Sequence, residues 1–181
     1  MKRVTLLSLL FLFLVIGGTR EGAASSQPKS LDDLLAERSA SVWIDGQVLG
    51  DLVLGAKARL TFVYVDPVLA SSARADSASP EWLVWHSRHV GEKYLKGKGL
   101  FVLRFETFTP WELVPGNLAV GTYVVSSEDI LSKKEYTPSG ELPADFTGTL
   151  PFSVPRTVLK PGTDVLLGYG KETVKWKVPA K

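Results

Sequence analysis

The side chains best suited to chemistry in this sequence are two histidines in the segment His86-Ser-Arg-His89. On a helix, residues three apart share a face, so both imidazoles would reach one metal ion; on a strand they would point to opposite sides. Glu81 and Glu92 lie nearby, but neither is an assured third ligand. The pair therefore keeps a metal-dependent hydrolase open as an alternative function, although we expect no cofactor.

Nucleophilic catalysis has even less support in the residue pattern. The chain contains no cysteine, no Gly-x-Ser-x-Gly sequence and no histidine outside the segment just described. Gly97-Lys-Gly99 and Gly168-Tyr-Gly170 each match only the first half of a dinucleotide-binding sequence, and a convincing helix follows neither. We therefore predict that the protein is not an enzyme.

Tryptophan is frequent, with five residues in the chain. Trp43 and Trp176 fall on alternating segments near the two ends of the domain, so we assign both to the core. Trp82, Trp85 and Trp111 adjoin predicted loops, where an indole ring with an apolar face and one donor can stack on a sugar or dock a protein. An ordinary packing role for each of these three rings is the competing interpretation.

A basic run with one aromatic residue inside it overlaps the histidine segment. Its members are Arg88, His89, Lys93, Tyr94, Lys96 and Lys98. Such a run suits an anionic surface such as an acidic polysaccharide, although Glu92 interrupts it and a solvated turn would have the same composition. Together with the loop tryptophans it gives the predicted ligand-binding set: Trp82, Trp85, Trp111, Arg88, Lys93 and Tyr94.

The N-terminus has the pattern of an export signal. A basic Met1-Lys2-Arg3 start precedes an apolar run over 4–16, and Gly22-Ala23-Ala24 supplies the small residues that a signal peptidase recognises. The apolar run is short for a membrane span. We therefore predict a signal peptide at 1–24 and a secreted or periplasmic protein, with an uncleaved N-terminal membrane anchor as the alternative.

Cleavage of this leader would make the protein electrically neutral. Lys2, Arg3 and Arg20 would leave with it, which reduces the basic residues from 21 to 18, and the loss of Glu21 reduces the acidic residues from 19 to 18. A neutral domain gives no general electrostatic reason to bind nucleic acid or an anionic membrane. We therefore predict no nucleic-acid partner and no stable membrane insertion after cleavage.

The rest of the chain has the pattern of short strands. The segment 58–65 alternates apolar and polar residues as a half-buried strand does, and 100–107 repeats the pattern, so we expect the two to pair. Asp45-Gly46 between apolar residues predicts a tight hairpin. About eight such strands predict an all-β, antiparallel β-sandwich at 41–181, immunoglobulin-like in general architecture, with an open barrel as the second choice. A polar tether and short helix at 25–40 would precede it.

Three segments outside these strands complete the predicted architecture. Ser30 and Asp33 have the spacing of a capping box, which predicts a helix over 31–38. The segment 66–80 loses all periodicity and is rich in alanine and serine, so we predict a mobile loop there. The segment 81–98 fits either a helix or a strand, and we favour a strand because aromatic and β-branched residues dominate it.

The leader, the strand pattern and the missing catalytic set together predict an exported, non-catalytic β-sandwich. Its expected role is to bind or scaffold another component of the cell envelope, either a protein or a polysaccharide. The first alternative is a carbohydrate-binding module that uses the loop tryptophans. The second is the metal-dependent hydrolase centred on His86 and His89.

Overall fold

The chain folds into two antiparallel sheets packed face to face, with a helical layer on part of one outer face. The computed structural model describes residues 29–138 and 140–180, so the predicted leader and most of the tether lie outside the described residues. The α-helices in this part of the chain are α1 (Leu31–Arg38), α2 (Pro67–Ala75) and α3 (Glu81–His86). The strands are β1 (Ser39–Ile44), β2 (Gln47–Leu49), β3 (Leu52–Leu54), β4 (Ala58–Val65), β5 (Lys98–Thr107), β6 (Trp111–Glu112), β7 (Leu118–Val120), β8 (Tyr123–Val124), β9 (Glu141–Leu142), β10 (Thr147–Pro155), β11 (Asp164–Tyr169) and β12 (Glu172–Lys177).

The strands form two four-stranded sheets and two short ribbons. The first sheet has the order β1-β4-β5-β10, the second has the order β12-β11-β7-β8, and β2–β3 and β6–β9 are the ribbons. Strands β4 and β5 pair from Ala58 opposite Thr107 to Val65 opposite Leu100, as predicted. The described strands do not close into a barrel, so the all-β sandwich is confirmed over the open barrel.

A continuous apolar core fills the space between the two sheets. Phe62, Phe101 and Phe152 are fully buried on the inner face of the first sheet, and Leu167 and Trp176 approach them from the second. The rings of Phe101 and Phe152 stack with their centres 5.6 Å apart. The core assignment of Trp176 is therefore confirmed.

Helix α1 forms where the capping box predicts it. The Ser30 hydroxyl accepts a hydrogen bond from the backbone N–H of Asp33 at 3.1 Å, and the Asp33 carboxylate accepts one from the backbone N–H of Ser30 at 3.2 Å. These two bonds satisfy donors that a helix start otherwise leaves free. Leu34 then packs the helix onto the outer face of the first sheet.

The prediction of a mobile loop over 66–80 is wrong, because the segment contains helix α2. The Asp66 carboxylate caps it by accepting a hydrogen bond from the backbone N–H of Leu69 at 2.8 Å, and Pro67 occupies the first turn. Leu69 and Ala73 are fully buried against the sheet. Alanine favours helix more than any other residue, and its small side chain lets the helix lie close to its neighbour. The alanine-rich composition therefore indicates a packed helix here.

The strand prediction for 81–98 is also wrong. The segment contains α3 followed by two 3₁₀ turns at Ser87–His89 and Lys93–Leu95. It crosses the outer face of the first sheet and does not run beside an edge strand, so its backbone must find hydrogen-bond partners within the segment. The backbone N–H of Val90, for example, donates to the Ser87 carbonyl at 3.1 Å. This placement overrides the β-propensity of its aromatic residues.

The predicted hairpin at Asp45-Gly46 does not form. Strand β1 pairs with β4, and the ribbon β2–β3 is an insertion between them that turns at Gly50, whose φ is 62°. The backbone N–H of Lys57 donates to the Ile44 carbonyl at 2.9 Å, which closes the insertion at its base. The long-range ladder between β1 and β4 therefore outweighs the local turn signal.

Candidate functional site

The predicted site residues occupy different parts of the fold. Helix α3 and the turns after it carry Trp82, Trp85, Arg88, Lys93 and Tyr94. Trp111 lies on β6, and its ring contacts Tyr169 of the second sheet. The structure therefore brings α3 and the outer face of the first sheet together and separates Trp111 from them.

The outer face of the first sheet is divided into a covered half and an open half. Val63 pairs with Val102 under the helical layer, whereas Thr61, two residues earlier, pairs with Arg104 outside it. The eight outward side chains of the uncovered rows are all exposed or half-buried: Ser41, Trp43, Arg59, Thr61, Arg104, Glu106, Thr147 and Thr149. We call these eight residues the open face.

Trp82 stands where the helical layer meets the open face. Leu83 is fully buried beneath α3 and fixes the helix to the sheet, which leaves the half-buried Trp82 ring beside Arg104. The guanidinium carbon of Arg104 lies 4.9 Å from the centre of that ring, a cation–π geometry. A cleft of about 430 Å³ is lined by Trp82 and by most of the open face. The site thus combines an aromatic wall, the Trp82 ring, with a polar floor, which consists of the polar residues of the open face.

Hydrogen bonds and one ion pair fix most of this polar floor. Arg59 donates to the Glu106 carboxylate at 2.7 Å, and the hydroxyls of Ser41 and Thr61 are 2.9 Å apart. Within the described residues Arg104 forms no ion pair, since the one carboxylate of the open face is already bonded to Arg59. The floor therefore offers a guanidinium that has no carboxylate partner among the described residues.

A second aromatic group lies at the other side of the open face. Trp43 stacks on Phe108 with the ring centres 6.0 Å apart, and Arg59 lies 5.5 Å from the centre of the Trp43 ring. The core assignment of Trp43 is wrong, because Val42 and Ile44 take the inward positions of β1 and Trp43 points outward between them. Aromatic rings therefore border the polar floor on two sides.

His86 ties α3 to the open face. The residue is 6% exposed, and its Nε2 lies 2.9 Å from the Thr149 hydroxyl, while its buried Nδ1 has no partner in the described part of the chain. Burial, followed by the nearby charge of His89, lowers the pKa of His86 from 6.5 to about 4. His86 is therefore neutral near pH 7 and acts as a fixed hydrogen-bonding group at the edge of the cleft.

The two histidines do not converge on a metal position. Their rings stack with centres 6.0 Å apart and planes 15° from parallel, and His89 Nδ1 is 2.6 Å from the Tyr94 hydroxyl. In residues 29–138 and 140–180 no group of three or more histidine, cysteine, aspartate or glutamate side chains is arranged to hold a metal ion. The described structure therefore supplies no third ligand for the metal site that a metal-dependent hydrolase would need.

The remaining predicted residues of the α3 region lie outside the cleft. Trp85 is 59% exposed, and the Arg88 guanidinium lies 4.7 Å from the centre of its ring. Tyr94 is also exposed, and Lys93 lines a separate cleft of about 410 Å³ that includes Lys96. These residues form a basic and aromatic outer surface next to the site.

Trp111 has a packing role in the second sheet. Its half-buried ring lies 5.2 Å from that of Tyr169, whose hydroxyl accepts a hydrogen bond from Val114 N–H at 2.8 Å and donates one to the Glu112 carbonyl at 3.2 Å. These contacts hold the β6–β9 ribbon against the sandwich. The structure does not bring Trp111 to the same face as Trp82 and Trp85.

The sequence interpretation missed the polar floor itself. The alternation in 58–65 and 100–107 places Arg59, Thr61 and Arg104 on the outer faces of two paired strands, which is the signal that could have found them. Thr147 and Thr149 also alternate with the apolar residues Leu150, Phe152 and Val154. Their place beside Arg104 and Glu106 depends on the pairing of β10 with β5, which the sequence does not indicate.

Comparison with protein-family models, with curated proteins and with solved structures finds no match to this chain. Every helix in the described residues is too short or too polar to cross a lipid bilayer.

Proposed function

We propose that this protein is an exported, non-catalytic binding module whose open face and Trp82 bind a polysaccharide of the cell envelope. The observation that carries the proposal is the cleft in which an indole ring borders a floor of hydroxyl, guanidinium and carboxylate groups. A sugar ring presents apolar C–H groups on its faces and hydroxyls around its edge. An aromatic wall and a polar floor match these two chemistries at once.

The floor supports binding because much of it is already ordered. Arg59 and Glu106 hold each other at 2.7 Å, and Ser41 and Thr61 at 2.9 Å. Side chains that are fixed before the ligand arrives lose less conformational freedom when it binds. A strand-built floor also presents repeated polar groups along a line, which suits an extended polymer more than a compact small molecule.

The charges of the cleft favour an acidic polysaccharide. Two guanidinium groups, those of Arg59 and Arg104, line it against the single carboxylate of Glu106. Glu106 neutralises Arg59, and Arg104 is left for an anion of the ligand. Guanidinium groups bind carboxylates through parallel hydrogen bonds. A uronic-acid polymer is therefore the expected ligand class.

Calorimetric titration with a matched pair of polymers tests this proposal. Polygalacturonate carries one carboxylate per sugar, whereas its fully methyl-esterified form keeps the backbone and loses the charge. We expect binding of polygalacturonate, weaker binding of the ester, and loss of the difference in Arg104→Gln. If the protein binds neither polymer, a uronic-acid polysaccharide is excluded as the ligand. Equal binding of both polymers would contradict the preference for a charged ligand.

Variants of two tryptophans on the same helix provide the matched control. Trp82→Ala should weaken polygalacturonate binding about tenfold, since it removes the indole ring that forms the cleft wall and packs against the Arg104 guanidinium. Trp85→Ala removes an equally large ring that points away from the cleft, and its effect should stay below about twofold. If Trp85→Ala weakens binding more than Trp82→Ala, the site lies on the outer surface of α3 and not in the cleft.

A further inference from the structure

The β2–β3 ribbon carries a contiguous group of exposed aliphatic side chains. It forms an isolated two-stranded hairpin whose large aliphatic residues are mostly exposed: Val48 59%, Leu49 59%, Leu52 56% and Leu54 46%. Adjacent residues of a strand point to opposite faces, so the exposure of both Val48 and Leu49 shows that both faces of the ribbon contact solvent. Isolated hairpins are marginally stable in water, and contiguous exposed apolar surface marks an interaction site.

A large apolar groove lies elsewhere on the same molecule. It has a volume of about 970 Å³ and lies between α1, the start of α2 and the C-terminal segment. Its apolar lining includes Leu34, Tyr64, Val68, Leu159, Pro161 and Val178. This is the largest of the described clefts, and its lining matches the apolar character of the hairpin.

The charges of the two surfaces are complementary. Three cationic residues line the groove, and two of them, Lys29 and Arg38, already pair with Glu37 and Asp66. The third, Arg156, has no carboxylate partner among the described residues. The hairpin segment 47–54 carries one charged residue, the carboxylate of Asp51 in its turn. One acid at the tip thus matches one available cation in the groove.

The hairpin cannot reach the groove of its own molecule. It leaves the first sheet at Ile44 and returns at Ala58, whereas Tyr64 and Asp66 at the opposite end of β4 line the groove. Seven residue steps along a strand separate these ends by about 23 Å. A lipid bilayer is a poor occupant for the hairpin, because insertion would bury Asp51 in hydrocarbon.

We propose that the β2–β3 hairpin of one molecule docks into the α1–α2 groove of a second copy, with Asp51 against Arg156. Because the two surfaces are different and lie at opposite ends of β4, the contact is head-to-tail. Such a contact leaves one hairpin and one groove free at the ends of every assembly that does not close into a ring. The protein therefore assembles beyond the dimer, and the mass of its assemblies increases with concentration.

Sedimentation velocity of the purified full-length chain over a range of concentrations tests this proposal. We expect the average mass to rise with concentration through dimers and longer assemblies. Asp51→Arg and Arg156→Asp should each weaken association at least about tenfold, and the double variant should recover most of it. Leu49→Lys with Leu52→Lys should abolish association without changing the melting temperature, since neither side chain packs against the domain. The N-terminal segment is the same in every variant.

Three results would overturn the proposal. The first is a parent protein that stays monomeric at several hundred micromolar. The second is association that hairpin variants weaken and Arg156→Asp does not, which indicates a hairpin-to-hairpin dimer. The third is a monomer whose binding to phosphatidylcholine vesicles is lost in the Leu49 and Leu52 variant, which identifies a bilayer as the occupant.

Discussion

The covered and open halves of the first sheet are built from the same strands, but they differ in the side chains that face outward. On β4 and β5 the outward residues of the covered half are Val63, Val65, Leu100 and Val102, all buried under the helices. One row further along, the outward residues are Thr61 and Arg104, which remain accessible to solvent. A change of two residues along a strand thus separates a packing surface from a candidate binding surface.

This difference shows that the helical layer determines the site as much as the sheet does. The helical layer stops where the outward residues of the sheet change from apolar to polar. Its last helix, α3, places Trp82 and His86 at that boundary. Without the helical layer the polar rows would form a flat strip without an aromatic wall. The strands supply the polar floor. The boundary between the apolar and polar rows of the sheet decides where the helical layer stops, and therefore where the Trp82 ring lies.

The largest expected effect comes from placing the same charged residue in each half. Val63→Asp would bury a carboxylate without a partner, and we expect it to reduce the free energy of unfolding by at least about 4 kcal/mol. Thr61→Asp, two residues away on the same strand and face, should cost about 1 kcal/mol or less, because its carboxylate remains in contact with water. Urea denaturation measures both. Equal losses in the two variants would show that the open half is also part of the packed structure.

The second prediction concerns the attachment of the helical cover. Asp66 caps α2 and also receives two hydrogen bonds, each 3.0 Å, from Arg38, which is 4% exposed. Asp66→Ala would leave a buried guanidinium without this partner, so we expect a loss of about 3 kcal/mol in the free energy of unfolding. Asp164→Ala breaks an exposed ion pair with Lys175 and should cost less than about 1 kcal/mol. A small effect at Asp66 would mean that burial of Leu69 and its neighbours alone holds the cover.

The third prediction concerns His86, which links the two halves. Its pKa is about 4 in the folded protein and 6.5 without burial, so below pH 6.5 the unfolded chain takes up a proton that the fold excludes. The stability linked to neutral His86 is fully present above about pH 6.5 and is lost as the pH falls toward about 4. The loss should reach about 2 kcal/mol by pH 4.5.

Urea denaturation of the parent and of His86→Gln at pH 7.5 and pH 4.5 isolates this contribution. Glutamine can still bond to Thr149 but does not titrate in this range. The pKa of His89 is also lowered by burial, and His89 is present in both proteins, so most of its own contribution cancels in the comparison. We expect the parent to lose more stability than the variant. Equal losses would show that His86 is protonated as easily in the fold as in the unfolded chain.

The sequence predicts the sheet better than it predicts the site, for a physical reason. Pairing of β4 with β5 follows from their period of two, and that period also predicts Arg59 and Arg104 on the outer face. The capping box predicts α1, but α2 and α3 escape prediction because both helices are short and tertiary packing decides their structure. The complete floor joins Ser41 to Thr149 through four strands, and this register depends on contacts between distant parts of the chain.

The smallest expected effect on stability comes from the charge balance of the open face. Glu106→Gln removes the carboxylate that now pairs with Arg59 at 2.7 Å. The pair is solvent-exposed, so its loss should change the free energy of unfolding by less than about 1 kcal/mol.

The same substitution should strengthen ligand binding, whereas most substitutions in a binding site weaken it. With Glu106 neutral, both guanidinium groups are available, and we expect several-fold tighter binding of polygalacturonate, with a steeper dependence on salt. Titration at two ionic strengths measures both changes. Weaker binding in Glu106→Gln would show that Glu106 accepts hydrogen bonds from ligand hydroxyls, and it would contradict the charge preference.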